Sequence, residues 1–195
     1  MPWSLKPFAN LLPSAKSWAK ILGRGALHAD DLYDAIMAQA RLPIYYQTLG
    51  IPDTLEGRFS ILTLHLFAVF RRLKGGGAEA TATAQALADR FVADMDTVLR
   101  EIGVGDLAVP KKVRKLVAGG ANLIDGYDRA VAAGGQALET AIADGLPLDE
   151  AEARAASAKL IPYVNALLED LKAQPIEEIC AGRIGFPEIP GERGS

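Results

Sequence analysis

The side chains best suited to chemistry in this 195-residue chain are few and scattered. Its two histidines, His28 and His65, lie far apart, and neither belongs to a His/Cys/Asp/Glu cluster at ligand spacing, so no metal site is expected. Asp94 and Asp96 stand two positions apart, which on a helix turns their carboxylates about 200° from each other and argues against a shared cation. No serine has a nucleophile-elbow context. The single cysteine, Cys180, falls in a tail rich in proline and glycine that gives no sign of holding a thiol in place, and it has no partner for an internal disulfide. His65 sits in an apolar run, where a hydrogen-bonded core histidine is expected before a general base. The expectation is a protein without catalytic residues, metal or cofactor.

What remains is binding chemistry. Lys111, Lys112, Arg114 and Lys115 place four cations in five residues, with Val113, Leu116 and Val117 turned the other way. The face suits RNA, anionic lipid or an acidic protein; it reads equally as a solvated helix surface. Residues 1–29 carry Lys6, Lys16, Lys20 and Arg24 and no acid, so this segment is +4, while the whole chain is −3. That asymmetry points to a peripheral contact made by the N-terminus. Phe8, Leu11, Leu12, Ala15, Trp18, Ala19 and Leu22 recur at helical spacing beside Lys16 and Lys20, and Trp3 and Trp18 are the only tryptophans. A basic amphipathic helix of this kind suits an anionic membrane surface through Trp3, Phe8, Lys16, Trp18 and Lys20. The other reading is a helix docked on its own domain and bent at Pro13. There is no continuous apolar h-region of a signal peptide.

The elements that position these groups are read as helices. Half of the residues are hydrophobic and 23% are charged, which excludes wholesale disorder. Alanine and leucine abound while Val/Ile/Thr runs are scarce, which favours helix. Residues 61–70 are apolar on every side of a helix, too few to span a bilayer and flanked by Arg58, Arg71 and Arg72. A helix of that kind must be wrapped by others. Its expected start is Pro52, with Asp53 as N-cap and Glu56 completing a capping box.

Before it, Asp30 or Asp31 is expected to cap a helix that breaks after Arg41 at Pro43, followed by apolar residues up to a stop at Gly50. Adjacent Tyr45 and Tyr46 cannot face the same way, so one is expected outside or in a groove. After the central helix come a helix over 79–102, with Leu87, Phe91, Met95, Val98, Leu99 and Ile102 inward, and a glycine turn at 103–106. Pro110 then opens a helix that pauses at Gly119-Gly120 and resumes over 123–131. A short helix over 137–143 precedes one capped by Asp149, carried to Leu171 and kinked at Pro162. The fold class is all-α: a single compact bundle of about six to eight helices around a buried central helix. Its parts are a basic amphipathic segment (1–28), a helical domain (29–172) and an irregular tail (173–195) lying on the surface or loose.

Five stretches, in this order, then carry a resemblance: residues 39–46 (QARLPIYY), 52–59 (PDTLEGRF), 94–96 (DMD), 99–106 (LREIGVGD) and 109–111 (VPK). Over roughly 32–146 the chain resembles the ubiquinol-cytochrome c chaperone family. The resemblance implies an assembly factor whose client is newly made cytochrome b, passed toward respiratory complex III. A small assembly partner protein and the ribosome are implied as further partners. With no long transit extension ahead of the domain, the chain is similar to bacterial members, which implies the bacterial cytoplasm, peripheral at the inner membrane (the matrix side of that membrane in eukaryotic relatives). For such a role Arg41, Tyr45, Tyr46 and Arg58 are expected to line a groove. Asp53, Arg58, Asp94, Asp96, Arg100 and Asp106 are expected to form one contiguous network beside it, or else to cap and pair helices. Two alternatives stay open: a lipid- or quinone-binding protein with a closed apolar cavity, and a ribosome adaptor whose contact is the cluster from Lys111 to Lys115.

Overall fold

Nine consecutive residues of the central helix, 61–69, are buried, so other helices must pack on all its sides. The computed structural model describes residues 28–190 and supplies them. In chain order the helices are α1 (Ala29–Ala40), α2 (Ile44–Gln47), α3 (Leu55–Leu73), α4 (Gly77–Glu101), α5 (Val109–Ala133), α6 (Ala137–Asp144), α7 (Glu150–Ala173) and α8 (Ile176–Cys180). There is no strand among the described residues. The fold is an all-α bundle, with α1, α4, α5 and α7 packed around α3, α6 against α5 and α7, and α8 against α4. The N-terminal membrane-contact expectation, with Trp3, Phe8, Lys16, Trp18 and Lys20, lies outside the described residues.

Helix ends follow local chemistry, with some corrections. Asp53 is not the cap of α3. Thr54 takes that place in extended backbone, and its hydroxyl accepts from the Gly57 amide at 3.1 Å. Asp53 instead accepts from Arg58 Nε at 2.5 Å, because the guanidinium outcompetes a neutral amide for a carboxylate. Neither Asp30 nor Asp31 caps α1; the N-cap position is His28, while Asp30 pairs with Arg90 at 3.1 Å. Asp149 does cap α7, accepting from the Glu152 amide at 2.9 Å. At its far end α3 is tied down by Arg72, which donates to the Leu171 and Gln174 carbonyls at 2.7 Å each. Arg71 and Lys74 both reach Asp128, and together they hold its carboxyl below the usual range despite partial burial.

Three stretches differ from their expectations. Helix α5 runs without a break through Gly119-Gly120. Gly120 is buried, and a Cβ there would stand 3.3 Å from the Phe59 ring and 3.7 Å from that of Phe91. The glycine costs about 1 kcal/mol of helix propensity, which ring packing offsets. Ile102 is not inward: as the C-cap of α4 it is 58% exposed. The C-terminal stretch is not loose, and the core does not stop at 172. It forms α8, buries Ile179, Cys180 and Ile189, and places the Phe186 ring 5.9 Å from that of His65. Gln174 clasps it in both directions, accepting from the Gly185 amide at 2.8 Å and donating to the Gly185 carbonyl at 3.0 Å. The apolar residues between the prolines fill a gap that a polar tail would have left open.

Candidate functional site

Pro43 ends α1 and forces the chain into the single turn of α2, and this turn sorts the two tyrosines. Successive helical side chains diverge by about 100°. Tyr45 goes inward and is fully buried, while Tyr46 stays half-buried at the surface. The expectation that Tyr45 meets a partner directly is therefore corrected. Tyr45 belongs instead to a buried polar network with His65 and Tyr163. His65 Nδ1 lies 2.8 Å from the Ile61 carbonyl, which can only accept, so the proton sits on Nδ1. Nε2 is left as the acceptor for Tyr163 OH at 2.8 Å and Tyr45 OH at 3.2 Å, and Gln39 donates to Tyr163 OH at 3.2 Å. Burial lowers the imidazole to about 4, so it is neutral, and burial raises the Tyr45 hydroxyl. His65 is the hydrogen-bonded core histidine the sequence pointed to.

Tyr46 faces an open cleft of about 260 Å³. Met37 and Arg41 come from the end of α1, and Tyr46 from α2. Leu55, Arg58, Phe59 and Leu62 come from the first turns of α3, Met95 and Asp94 from α4, and Leu116 from α5. Of the expected groove residues, Arg41, Tyr46 and Arg58 do line it. Tyr46 donates to the Ala40 carbonyl at 2.7 Å, which satisfies the end of α1, and the Arg58 guanidinium lies 5.3 Å over the Tyr46 ring. The hydrogen bond from Arg58 draws the Asp53 carboxyl down. The walls are apolar, with two flexible methionines that can refit to different contours. Cations and one carboxylate stand at the mouth.

The expected single charge network is instead three separate groups. Asp53 and Arg58 form the first. The second is Asp94, which accepts from Tyr33 OH at 2.9 Å and pairs with Arg90 at 3.6 Å, while Arg90 stacks 4.8 Å over the Tyr33 ring. The third is Arg100, bound to Asp96 at 2.6 Å and to Asp106 at 2.7 Å, an exposed clasp across the turn between α4 and α5. Asp94 and Asp96 diverge on α4, which separates the second group from the third. Lys111, Lys112, Arg114 and Lys115 are exposed and away from the cleft, and no ion pair to any of them is found among the described residues.

Charge and aromatic content drew the sequence reading to the rim and passed over the apolar lining. Leu55, Phe59 and Leu62 were visible as an i, i+4, i+7 row at the start of α3, a spacing that marks one face. Burial raises the Cys180 thiol, and the side chain is itself buried. Among the described residues no group of three His, Cys, Asp or Glu could hold a metal ion, and no helix is long and apolar enough to cross a membrane. Two further open clefts, of about 620 Å³ and about 680 Å³, lie between α6 and α7 and where α3, α5 and α7 meet.

The fold is similar to the crystal structure of the Cbp3 homolog from Brucella abortus, with a TM-score of 0.73 at 30% identity, over 89% of this chain and 96% of that one. No curated protein sequence matches the chain. The family model described as ubiquinol-cytochrome C chaperone matches residues 47–186, a span that leaves Arg41, Tyr45 and Tyr46 outside and takes in α8 and the segment after it. With most of its length matched by that model, the chain belongs to the ubiquinol-cytochrome C chaperone family.

Proposed function

We propose that this protein is an assembly chaperone for the ubiquinol-cytochrome c reductase complex, that its client is newly made cytochrome b, and that the cleft at the N-terminal end of α3 receives a client segment. The observation that carries the reading is an open apolar trough with Arg41, Arg58 and Asp94 at its mouth, in a member of this family. A volume of about 260 Å³ falls below the roughly 300–1,000 Å³ typical of sites that enclose a small molecule. It suits side chains projecting from one face of a helix laid across it. An unassembled membrane segment offers such a face, with polar ends that the guanidinium groups and carboxylate can meet. The open form favours this reading over an enclosed lipid or quinone. Peripheral residence at the inner membrane, an assembly partner and proximity to the ribosome belong to the same proposal.

The test is affinity capture of the tagged full-length protein from cells, with cytochrome b measured in the eluate. Leu55 is 41% exposed and Arg58 is exposed, so Leu55→Asp and Arg58→Glu leave the core untouched. Each should lower captured cytochrome b about tenfold, the loss of one interface hot spot. Capture at the unmodified level by both variants would refute the cleft; no cytochrome b with the unmodified protein would refute the client.

A further inference from the structure

We propose that the elbow between α4 and α5 is a docking site for an anionic lipid surface, with Leu107 as the inserted side chain and Lys111, Lys112, Arg114 and Lys115 as the cations that meet the headgroups. Only three large hydrophobic side chains stand exposed among the described residues, and two of them flank this elbow: Ile102 at 58% and Leu107 at 100%. The third, Leu55, lines the cleft. A wholly exposed leucine in a turn contributes nothing to the fold, and no described neighbour covers it.

The cations also lack a structural reason. The first turn of α5 contains no acid, so its four cations stand near the positive end of the helix macrodipole, where they oppose helix formation. Helical winding starts before α5 proper: the Gly105 carbonyl accepts from the Ala108 amide at 2.8 Å and the Val109 amide at 3.2 Å. Leu107, Lys111, Arg114 and Lys115 therefore follow i, i+4, i+7, i+8 spacing and share a face. That face is opposite buried Val109, Val113 and Gly120. Asp96, Glu101 and Asp106 lie in the same region, but Asp96 and Asp106 are held by Arg100, and residues 96–115 contain five cations against three acids. Cations alone would fit nucleic acid as well. The leucine at the head of the same face decides for lipid, since an interfacial contact uses apolar insertion together with charge.

Binding of the full-length protein to vesicles of phosphatidylcholine with phosphatidylglycerol, and to phosphatidylcholine alone, tests the proposal. The mixed vesicles should be preferred, less so at high salt. Lys111→Gln with Lys115→Gln should weaken binding about 30-fold, from the typical contribution of a cation at an anionic leaflet. Leu107→Ser should weaken it about 10-fold, the cost of one apolar side chain left in water. Because Cys180 is buried, an environment-sensitive dye can be placed selectively on Leu107→Cys, and its emission should shift to the blue on mixed vesicles. Unchanged binding by both variants would overturn the proposal and leave any membrane contact to another segment. A loss with the lysine variant alone, no dye shift, and equal binding to RNA would overturn it in favour of nucleic acid. Leu55→Asp in the cleft should leave vesicle binding intact, so failure of the client reading and failure of this one are separable.

Discussion

His65 allows a quantitative test of the buried network it forms with Tyr45 and Tyr163. The imidazole is wholly enclosed, and burial lowers its pKa from 6.5 to about 4, outweighing the hydrogen bond to the Ile61 carbonyl, which favours the charged ring. In the unfolded chain the ring takes a proton near pH 6.5; in the folded protein it resists until about 4. Between those values the unfolded state binds more protons, so stability is full above pH 6.5 and declines as the pH falls toward 4. At about 1.4 kcal/mol per pKa unit the whole effect is on the order of 3 kcal/mol, most of it lost between pH 7 and about 4.5. Carboxylates also titrate in that range, so the measurement is a difference of differences: urea unfolding followed by helical circular dichroism, at both pH values, for the unmodified protein and His65→Gln. The variant is expected to be less stable at pH 7 and to lose about 2–3 kcal/mol less on acidification. Equal losses, within about 0.5 kcal/mol, would show that the ring is already protonated in the fold or open to water. An NMR titration reporting a charged imidazole in folded protein at pH 5.5 would refute the reasoning independently of any variant.

Two further predictions concern packing. A Cβ at Gly57 would stand 2.0 Å from the Pro52 carbonyl oxygen, so Gly57→Ala should lower stability by about 1–2 kcal/mol, an overpacking cost larger than the gain in helix propensity. Gly126, in the interior of α5 with nothing within 4 Å, should respond oppositely, gaining up to about 1 kcal/mol as alanine; melting temperatures of the two variants moving the same way would contradict this. Ile179→Ala removes a fully buried side chain of α8 and should cost about 2–5 kcal/mol in urea unfolding, whereas a loss under about 1 kcal/mol would mean that the C-terminal stretch is not part of the cooperative core.

Legibility in the sequence tracked how local the deciding interaction is. The burial of α3 was readable because an all-round apolar run has only one soluble solution. The Asp149 cap, the break at Pro43 and the place of His65 rest on a few neighbouring residues and were readable as well. Gly120 was not: in sequence it is a helix breaker, and only the Phe59 and Phe91 rings arriving from other helices make it a contact. Asp53 had two local options, a cap or Arg58, and sequence gives no measure of which wins. The C-terminal segment has the composition of a loose end, yet Ile179 and Ile189 are buried in the common core and α8 packs on α4, a distant helix in sequence. For the cleft, rim charges were visible in sequence, while its existence depended on where five helices leave a gap.

The position of that gap follows from α3 itself. Its middle is enclosed on every side, and its first turns emerge, with Leu55 and Arg58 exposed and Phe59 half-buried. The helix that organises the core therefore also supplies one wall of the cleft. Phe59 joins the two roles: its ring lines the cleft, lies 6.1 Å from that of Phe91, and covers Gly120. A segment entering the cleft cannot displace Phe59 without opening the contact between α3, α4 and α5, at the cost of buried apolar surface. Tyr46, also in the lining, is anchored to the Ala40 carbonyl. With these rings fixed, adaptation falls to Met37 and Met95, whose unbranched side chains can change rotamer without moving a helix. The proposed client role asks for such a combination, a rigid frame lined by pliable side chains, because the apolar segments it would receive differ in contour.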